Sequence, residues 1–394
     1  MHVISILHNL FAVCRSSFDL RVLKTLFSAV ETLTRCRKLA ITSIGRSLVR
    51  DCHVKHKIKT IDRLFGNIKL QSSTFIIYKS MLLSILGRNL NPIILVDWSR
   101  LSPCGNFHFL SAAIPSGGRA LPILEIPFHV NHLETFKSHS LFLQSLNDIL
   151  PKNVKPIIIT DAGFRNCWFK LVSSYGWNYI GRLRNRTCFQ TVGSVEWKAI
   201  KSLYSFATRK AKYLGHYLLS KSTTISTHLY LYKGSNKNRI KKNLEGKKVQ
   251  CSESLKHAKR EAEPLLIATS LSFEAFKPHE IINLYKKRMQ IEETFRDLKN
   301  ERLGLSLRQN GSKSLGRLQV ALLIGAMTIY ILWILGVSAR LNEVHFHYQA
   351  NTTRHLNVLS NFMIGWQLLE EKRIILKLSD INQALQHLKE VQSA

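Results

Sequence analysis

The run VALLIGAMTIYILWILGV, from Val320 to Val337, contains no charged residue and limits how the chain can fold. A helix that is apolar all round has to be covered on every side, either by lipid or by the rest of a large core. The run is nearly long enough to cross a bilayer. It also carries Gly325, Thr328, Tyr330 and Gly336, and no second segment of its kind occurs in the chain. The 394 residues are enough for two or three domains with at least one sizeable core. So basic a chain, with one short and late apolar run, is read as having no membrane partner, and the run as the central helix of a soluble core.

Lys and Arg number 57 against 25 Asp and Glu, a net charge of +32. Solubility does not require such an excess; it points to a polyanion, nucleic acid and with it double-stranded DNA above all, with an anionic membrane surface as the competitor. The excess runs through the whole chain, as a long binding surface requires. With 45% hydrophobic residues the chain is globular, not disordered. Seven cysteines are scattered without a CxxC pair, and the N-terminal apolar residues are interrupted by His8 and Arg15 with no small-residue cleavage site. Reduced thiols and a cytoplasmic location follow as expectations. Cys52, His53 and His56 stand close together in sequence, but no second ligand pair follows, so no zinc site is expected there.

Residues 1–85 are expected to be helical. Leu23, Leu26, Phe27, Val30 and Leu33 recur at helical spacing, as do Leu39, Ile41, Ile44 and Leu48. A cap-like Thr42 opens TSIGRSL. VKHKIKTIDRLFGN then places Ile58, Ile61, Leu64 and Phe65 on one face and Lys55, His56, Lys57, Lys59 and Arg63 on the other, with Gly66-Asn67 as its end. Helix, break and basic helix make the outline of a helix-turn-helix module, with Lys55, Lys57, Lys59 and Arg63 toward DNA. A plain helical bundle with a basic exterior has the same pattern.

From Pro92 the periodicity changes. PIILVDWS is a continuous apolar run ending in Asp97, and Phe107 to Ile114 and Ala120 to Phe128 flank the turn PSGG as a hairpin. A helix over Leu133 to Leu150 precedes KPIIITDAGF, a second short apolar run that ends in Asp161. A helix from Ala162 to Ser174 and a strand from Trp177 to Arg184 follow. This is an α/β layout with a mixed sheet. One Asp at a strand end is usually a turn residue; two in one sheet suit an oxygen-loving cation such as Mg²⁺, which can activate a nucleophile at phosphate. Residues 187–272 hold strand-like pieces around the Lys-rich GSNKNRIKKNLEGKKVQ, a β-rich insertion with Lys237, Arg239, Lys241 and Lys242 facing solvent or DNA.

Between Tyr285 and Lys299 there is no Gly or Pro, and Pro278 suits a first helical turn, so one helix is expected. Tyr285, Arg288, Glu292, Arg296 and Lys299 then share one face, with Glu293 turned away from it. Two readings fit this stripe: a solvated face with paired charges, or an acid that holds metal among groups that hold phosphate. Two aspartates leave a metal site one ligand short, and Glu292 supplies the third.

Asp97, Asp161 and Glu292, with the strand–helix order above and an insertion before the Glu, resemble the RNase H-like DDE transposases. Tyr285-x2-Arg288-x3-Glu292-x6-Lys299 is similar to the YREK signature of the insertion-sequence-four family of bacterial cut-and-paste transposases, as are VDWS and TDAGF. The resemblance implies an RNase H-like catalytic domain over 86–340, with an insertion at about 187–272, after a DNA-binding domain over 1–85. A helical region over 341–394 would follow, for dimerisation. It implies two Mg²⁺ ions, replaceable by Mn²⁺, held by Asp97, Asp161 and Glu292. It implies phosphate contacts by Tyr285, Arg288 and Lys299, to which Arg296 is added from the stripe, and a wedge at Met289 where a base leaves the stack. It implies excision through a DNA hairpin, a homodimer on paired ends and a nucleoid-associated bacterial protein. The alternative is a catalytically inactive relative acting as a repressor. The family's stacking aromatic after a Glu-Pro pair is replaced here by Leu265, after Glu263-Pro264.

Overall fold

The computed structural model describes residues 3–102, 104–184, 187–234, 252, 263–371 and 376–393. It divides into two units, Met1–Pro156 with Met289–Ala394, and Ile157–Arg288. Lys237, Arg239, Lys241 and Lys242 lie outside the described residues.

The first unit begins with helices α1 (Val3–Leu10), α2 (Leu20–Cys36), α3 (Ile41–Ser47), α4 (Val54–Phe65) and α5 (Ile68–Ile85). Asp19 and Asn67 accept backbone N–H groups of Arg21 and Leu70 at 2.7 and 2.9 Å and so cap α2 and α5. Thr42 is not a cap: α3 starts at Ile41, and Ala40 precedes it without a side-chain cap bond. α3 and α4 approach so closely that a Cβ on Gly45 would stand 2.6 Å from Ile58 Cα. Gly66 ends α4.

Three antiparallel strands follow, β1 (Ile93–Arg100), β2 (Phe107–Ser116) and β3 (Arg119–His129). Gly117 and Gly118 both have positive φ, +51° and +91°, the backbone a two-residue hairpin turn requires. Asp97 lies inside β1 rather than at its end, because pairing with β2 continues to Arg100. Helix α6 (Phe136–Ile149) comes next, with Thr135 as its cap.

In the second unit, β4 (Ile157–Thr160), α7 (Asn166–Ser174) and β5 (Asn178–Leu183) form a parallel crossover. Strands β6 (Cys188–Thr191), β7 (Lys198–Ala199), β8 (Lys212–Leu219), β9 (Ile225–Tyr232) and β10 (Leu265–Thr269) extend it. Their antiparallel pairings run β5-β10-β9-β8-β6-β7. The sheet is therefore mixed, and the elements from β1 to β5 come in the order the sequence implies. Helix α8 (Pro278–Lys286) closes the unit, with Pro278 in its first turn.

The single helix expected through Tyr285–Lys299 is two. After α8 the chain makes a turn at Lys287 and Arg288, whose N–H groups donate to Leu284 and Tyr285 carbonyls at 3.1 and 3.0 Å. Helix α9 (Met289–Lys299) then begins in the first unit. Glu292 falls in the first turn of α9, where the positive end of the helix dipole favours an acid.

The apolar run belongs to α10 (Leu315–Leu341), whose most apolar window is wholly buried. It packs against α2, α5, β3, α11 (Asn361–Glu371) and α12 (Leu378–Ser393). At the α10–α11 crossing, a Cβ on Gly336 would lie 1.9 Å from the Asn361 carbonyl oxygen and one on Gly365 1.9 Å from that of Leu332. Ala normally gains up to about 1 kcal/mol over Gly in a helix, but separations this short reverse the sign. Gly336→Ala and Gly365→Ala are each expected to lower stability by about 1–3 kcal/mol in denaturant unfolding.

Candidate active site

The site is built from the strands upward. In the first unit Asp97 on β1 pairs across the ladder with Ser111 on β2, and Ser111 with Glu125 on β3. Cross-strand partners project from the same face, so these three form one row. Ser99, Phe109 and Pro127 form the next row on that face. Asp97 is almost fully buried, and its Oδ1 accepts the Trp98 N–H at 2.9 Å.

α9 packs over these strands and is pinned to β3 at two points. Thr294 Oγ1 accepts the Ala120 N–H at 2.8 Å and donates to the Ala120 carbonyl at 2.8 Å. Arg119 Nε donates to Asp297 Oδ2 at 2.6 Å, and burial pushes the Asp297 carboxyl up against the pull of this arginine. The pins fix the register of α9, and with it the places of Glu292 and Lys299. Arg296 is exposed and pairs with Glu293 at 2.6 Å, as the solvated-face reading has it for that residue.

Lys299 does not lie on an open basic surface. Its ammonium donates to Ser99 Oγ and sits 5.3 and 5.4 Å from the ring centres of Phe109 and Phe295, which pack edge to face. Burial pushes this ammonium down to about 8, with Arg308 adding to the shift and Glu125 and Asp97 opposing it. Burial also pushes the Glu125 carboxyl up to about 8, against a hydrogen bond from Ser111 and the charge of Lys299.

In the second unit Asp161 directly follows β4, and its Oδ1 accepts the Gly163 N–H at 2.8 Å. Tyr285 is buried at the end of α8. Burial raises its phenol, Arg288, Arg182 and Arg184 pull it down, and Asp161 pushes it up. These five side chains are thus electrostatic neighbours. Beside them a groove of about 1430 Å³ is lined by Arg165, Asn166, Arg182, Arg184 and Lys201, among others. Glu263 lies 3.8 Å from Arg184 and 3.9 Å from Lys201. Arg182 and Arg184 were open to sequence reading as alternate residues after an apolar strand run; Arg119, Thr294 and Glu125 carried no such signal. Met289 is exposed at the start of α9. Leu265 pairs across strands with Tyr232, over whose ring Lys286 Nζ stands at 4.7 Å.

The structure therefore places Asp97, Met289, Glu292, Arg296 and Lys299 in the first unit, and Asp161, Tyr285 and Arg288 in the second. Among the described residues no three His, Cys, Asp or Glu are grouped to hold a metal ion. On α4, Lys55, Lys59 and Arg63 are exposed and Lys57 is half-buried. Lys59 and Arg63 share a recess of about 500 Å³ with Arg50, His56 and Thr60, and Arg50 donates to Thr60 Oγ1 at 3.3 Å.

The family described as the transposase DDE domain matches residues 134–331, about half of the chain. A piggyBac transposase, solved as a synaptic complex with hairpin DNA, is similar at 10% identity and a TM-score of 0.40, over 98% of this chain and 82% of that one. No curated protein matches.

Beside Asp97, the Trp98 indole N–H donates to Nε2 of the buried His139 at 3.3 Å, and burial lowers that imidazole to about 4. The folded state then binds fewer protons than the unfolded state, whose imidazole titrates near its ordinary 6.5. The stabilisation is present above pH 6.5 and is lost as pH falls toward 4, by on the order of 3 kcal/mol in all. Denaturant unfolding across that window is expected to show this loss, and His139→Gln to flatten it.

Proposed function

The chain belongs to the transposase DDE domain family, whose enzymes transfer phosphoryl groups of DNA, and we propose that it is a cut-and-paste transposase of the insertion-sequence-four type. In this reading it binds the terminal inverted repeats of its own mobile element, excises the element through a DNA hairpin and inserts it into target DNA. What carries the reading is that the family match over 134–331 takes in both Asp161 and Glu292.

Asp97, Asp161 and Glu292 would hold two Mg²⁺ ions, or Mn²⁺ in their place, on an RNase H-like domain. The donor set fits: three carboxylates are the hard oxygen ligands these ions take. Asp97 and Asp161 each have one oxygen already held by a backbone N–H, which orients the group. Bound there, the ions would activate the attacking hydroxyl and stabilise the departing oxygen at phosphorus. Tyr285, Arg288 and Lys299 would hold phosphates near the cut, and within the second unit Arg182 and Arg184 would hold phosphates along the groove. Met289, exposed at the start of α9, would enter the base step. The exposed basic side of α4, with Lys55, Lys57, Lys59 and Arg63, would contact the terminal repeats, and paired ends would need a homodimer. A bacterial cytoplasm, at the nucleoid, is where such an enzyme would act.

Purified protein with Mg²⁺ is expected to nick and hairpin DNA carrying the terminal repeats that flank its gene. Asp161→Asn is expected to abolish cleavage while leaving binding to those repeats unchanged in gel-shift titration. Cleavage that survives Asp161→Asn contradicts the assignment; binding to the repeats without any metal-dependent cleavage by the unaltered chain favours a repressor.

A further inference from the structure

Glu263 places a carboxylate among the cations of the groove in the second unit. Its Oε2 stands 3.8 Å from Arg184 Nε and its Oε1 3.9 Å from Lys201 Nζ, and both of those residues line the groove. Each carboxylate oxygen thus faces one cation. Charge-assisted hydrogen bonds of this kind close to about 2.7–2.9 Å. At these atoms the carboxylate is therefore shared between the two cations and bonded directly to neither. Its side chain is 23% exposed, so solvent and ligands reach it.

The backbone around this acid is held by other means. Arg182 Nη2 donates to the Glu263 carbonyl at 3.4 Å, and β10 begins two residues later, paired with β9 from Leu265 and with β5 from Leu266. The carboxylate is therefore not what fixes this stretch of chain. In a chain of net charge +32, an acid set between two cations of a basic groove acts on whatever anion enters that groove. A phosphodiester also presents two free oxygens on one charged centre, and it can take the same two cations at direct bonding distance. Ion pairs that stay partly in water are weak, so the carboxylate can be displaced.

We propose that Glu263 is an electrostatic placeholder: it occupies the Arg184–Lys201 phosphate position of the groove in the free chain, and DNA binds there by displacing it. Glu263 thereby lowers the affinity of the groove for DNA in general. The proposal rests on the reading of the groove as a path for DNA phosphates, and its test separates the two. Glu263→Gln keeps the shape and removes the charge, and Lys201→Gln removes one of the two cations. Glu196→Gln is the control, since Glu196 pairs with Lys198 at 3.1 Å, both exposed, and neither is part of the groove wall.

Binding of a random-sequence DNA duplex to the full-length chain is followed by fluorescence anisotropy over a range of salt concentrations, without metal. Glu263→Gln is expected to tighten binding several-fold at low salt. It is also expected to steepen the salt dependence by one released counterion, a change of about 0.9 in the logarithmic slope. The gain is expected to shrink in a Lys201→Gln background, and Glu196→Gln to bind as the unaltered chain does. Long-range repulsion alone would give the same gain in both backgrounds, and a purely structural Glu263 would give none. Glu263→Asp draws the carboxylate back by one methylene and is expected to tighten binding by less; it serves on the same criteria if Glu263→Gln fails to fold. Unchanged or weaker binding by Glu263→Gln, or an equal gain in the Lys201→Gln background, overturns the proposal. If Glu263→Gln leaves binding unchanged while Lys201→Gln and Arg184→Gln weaken it, the groove reading stands and the placeholder falls. If all three leave binding unchanged, both fall.

Discussion

The burial of α10 is the constraint on which the first unit depends. A helix that is apolar on every face has no favourable side to show water, and each buried leucine or isoleucine in it is worth about 1.5–3 kcal/mol. Helices α2, α5, α11 and α12 and strand β3 cover it. The covering elements are thereby held where α10 needs them, and β3 is the one that matters for chemistry. Trp333 on α10 donates its indole N–H to Ser116 at the end of β2 at 3.1 Å, so the hairpin is tied to the helix as well as packed on it. Through the ladder, β3 fixes β2 and β2 fixes β1, which carries Asp97. Through Thr294 and Arg119, β3 also fixes α9, which carries Glu292 and Lys299. One rigid strand thus sets the placement of two acids and a cation that lie far apart in sequence.

The electrostatics of that face are not those of a solvated surface. Arg296 shows the contrast, being exposed on the same helix and paired with Glu293, an arrangement worth only a few tenths of a kcal/mol. Lys299, one turn of helix away, has lost much of its water and holds a hydroxyl and two aromatic rings instead. Glu125 has lost all but 1% of its exposure. Burying both an acid and a base within reach of Asp97 is costly for folding alone, and such costs gather where function requires them. In the second unit the same pattern recurs at Tyr285, a buried phenol among three arginines and Asp161.

Much of this was legible because the signals were local. The runs IILV and IIIT are too short and too branched for helices and each is followed by an aspartate, so strands β1 and β4 and their acids could be read directly. PSGG could be read as a hairpin because two adjacent glycines supply the positive φ that the turn needs. The break between α8 and α9 could not be read: residues 285–299 contain no Gly or Pro, and the turn at Lys287 and Arg288 falls among good helix formers. For the same reason the stripe from Tyr285 to Lys299 is not one helical face. The burial of Lys299 beside Ser99 and two rings could not be read, since spacing tells which face a residue is on but not what lies against that face. Glu125 was invisible for the opposite reason, because an acid inside an apolar strand carries no pattern until its neighbours across the ladder are known.

The central proposal is that Asp97, Asp161 and Glu292 act together on one set of metal ions. Fe²⁺ supplied in place of Mg²⁺, with ascorbate and peroxide, generates radicals that cut the polypeptide backbone beside the bound ion. On the full chain with terminal-repeat DNA, mass spectrometry of the fragments is predicted to show breaks clustered near residues 97, 161 and 292, all suppressed by excess Mg²⁺. Breaks at only one of these stretches, or at places unrelated to them, would contradict the account.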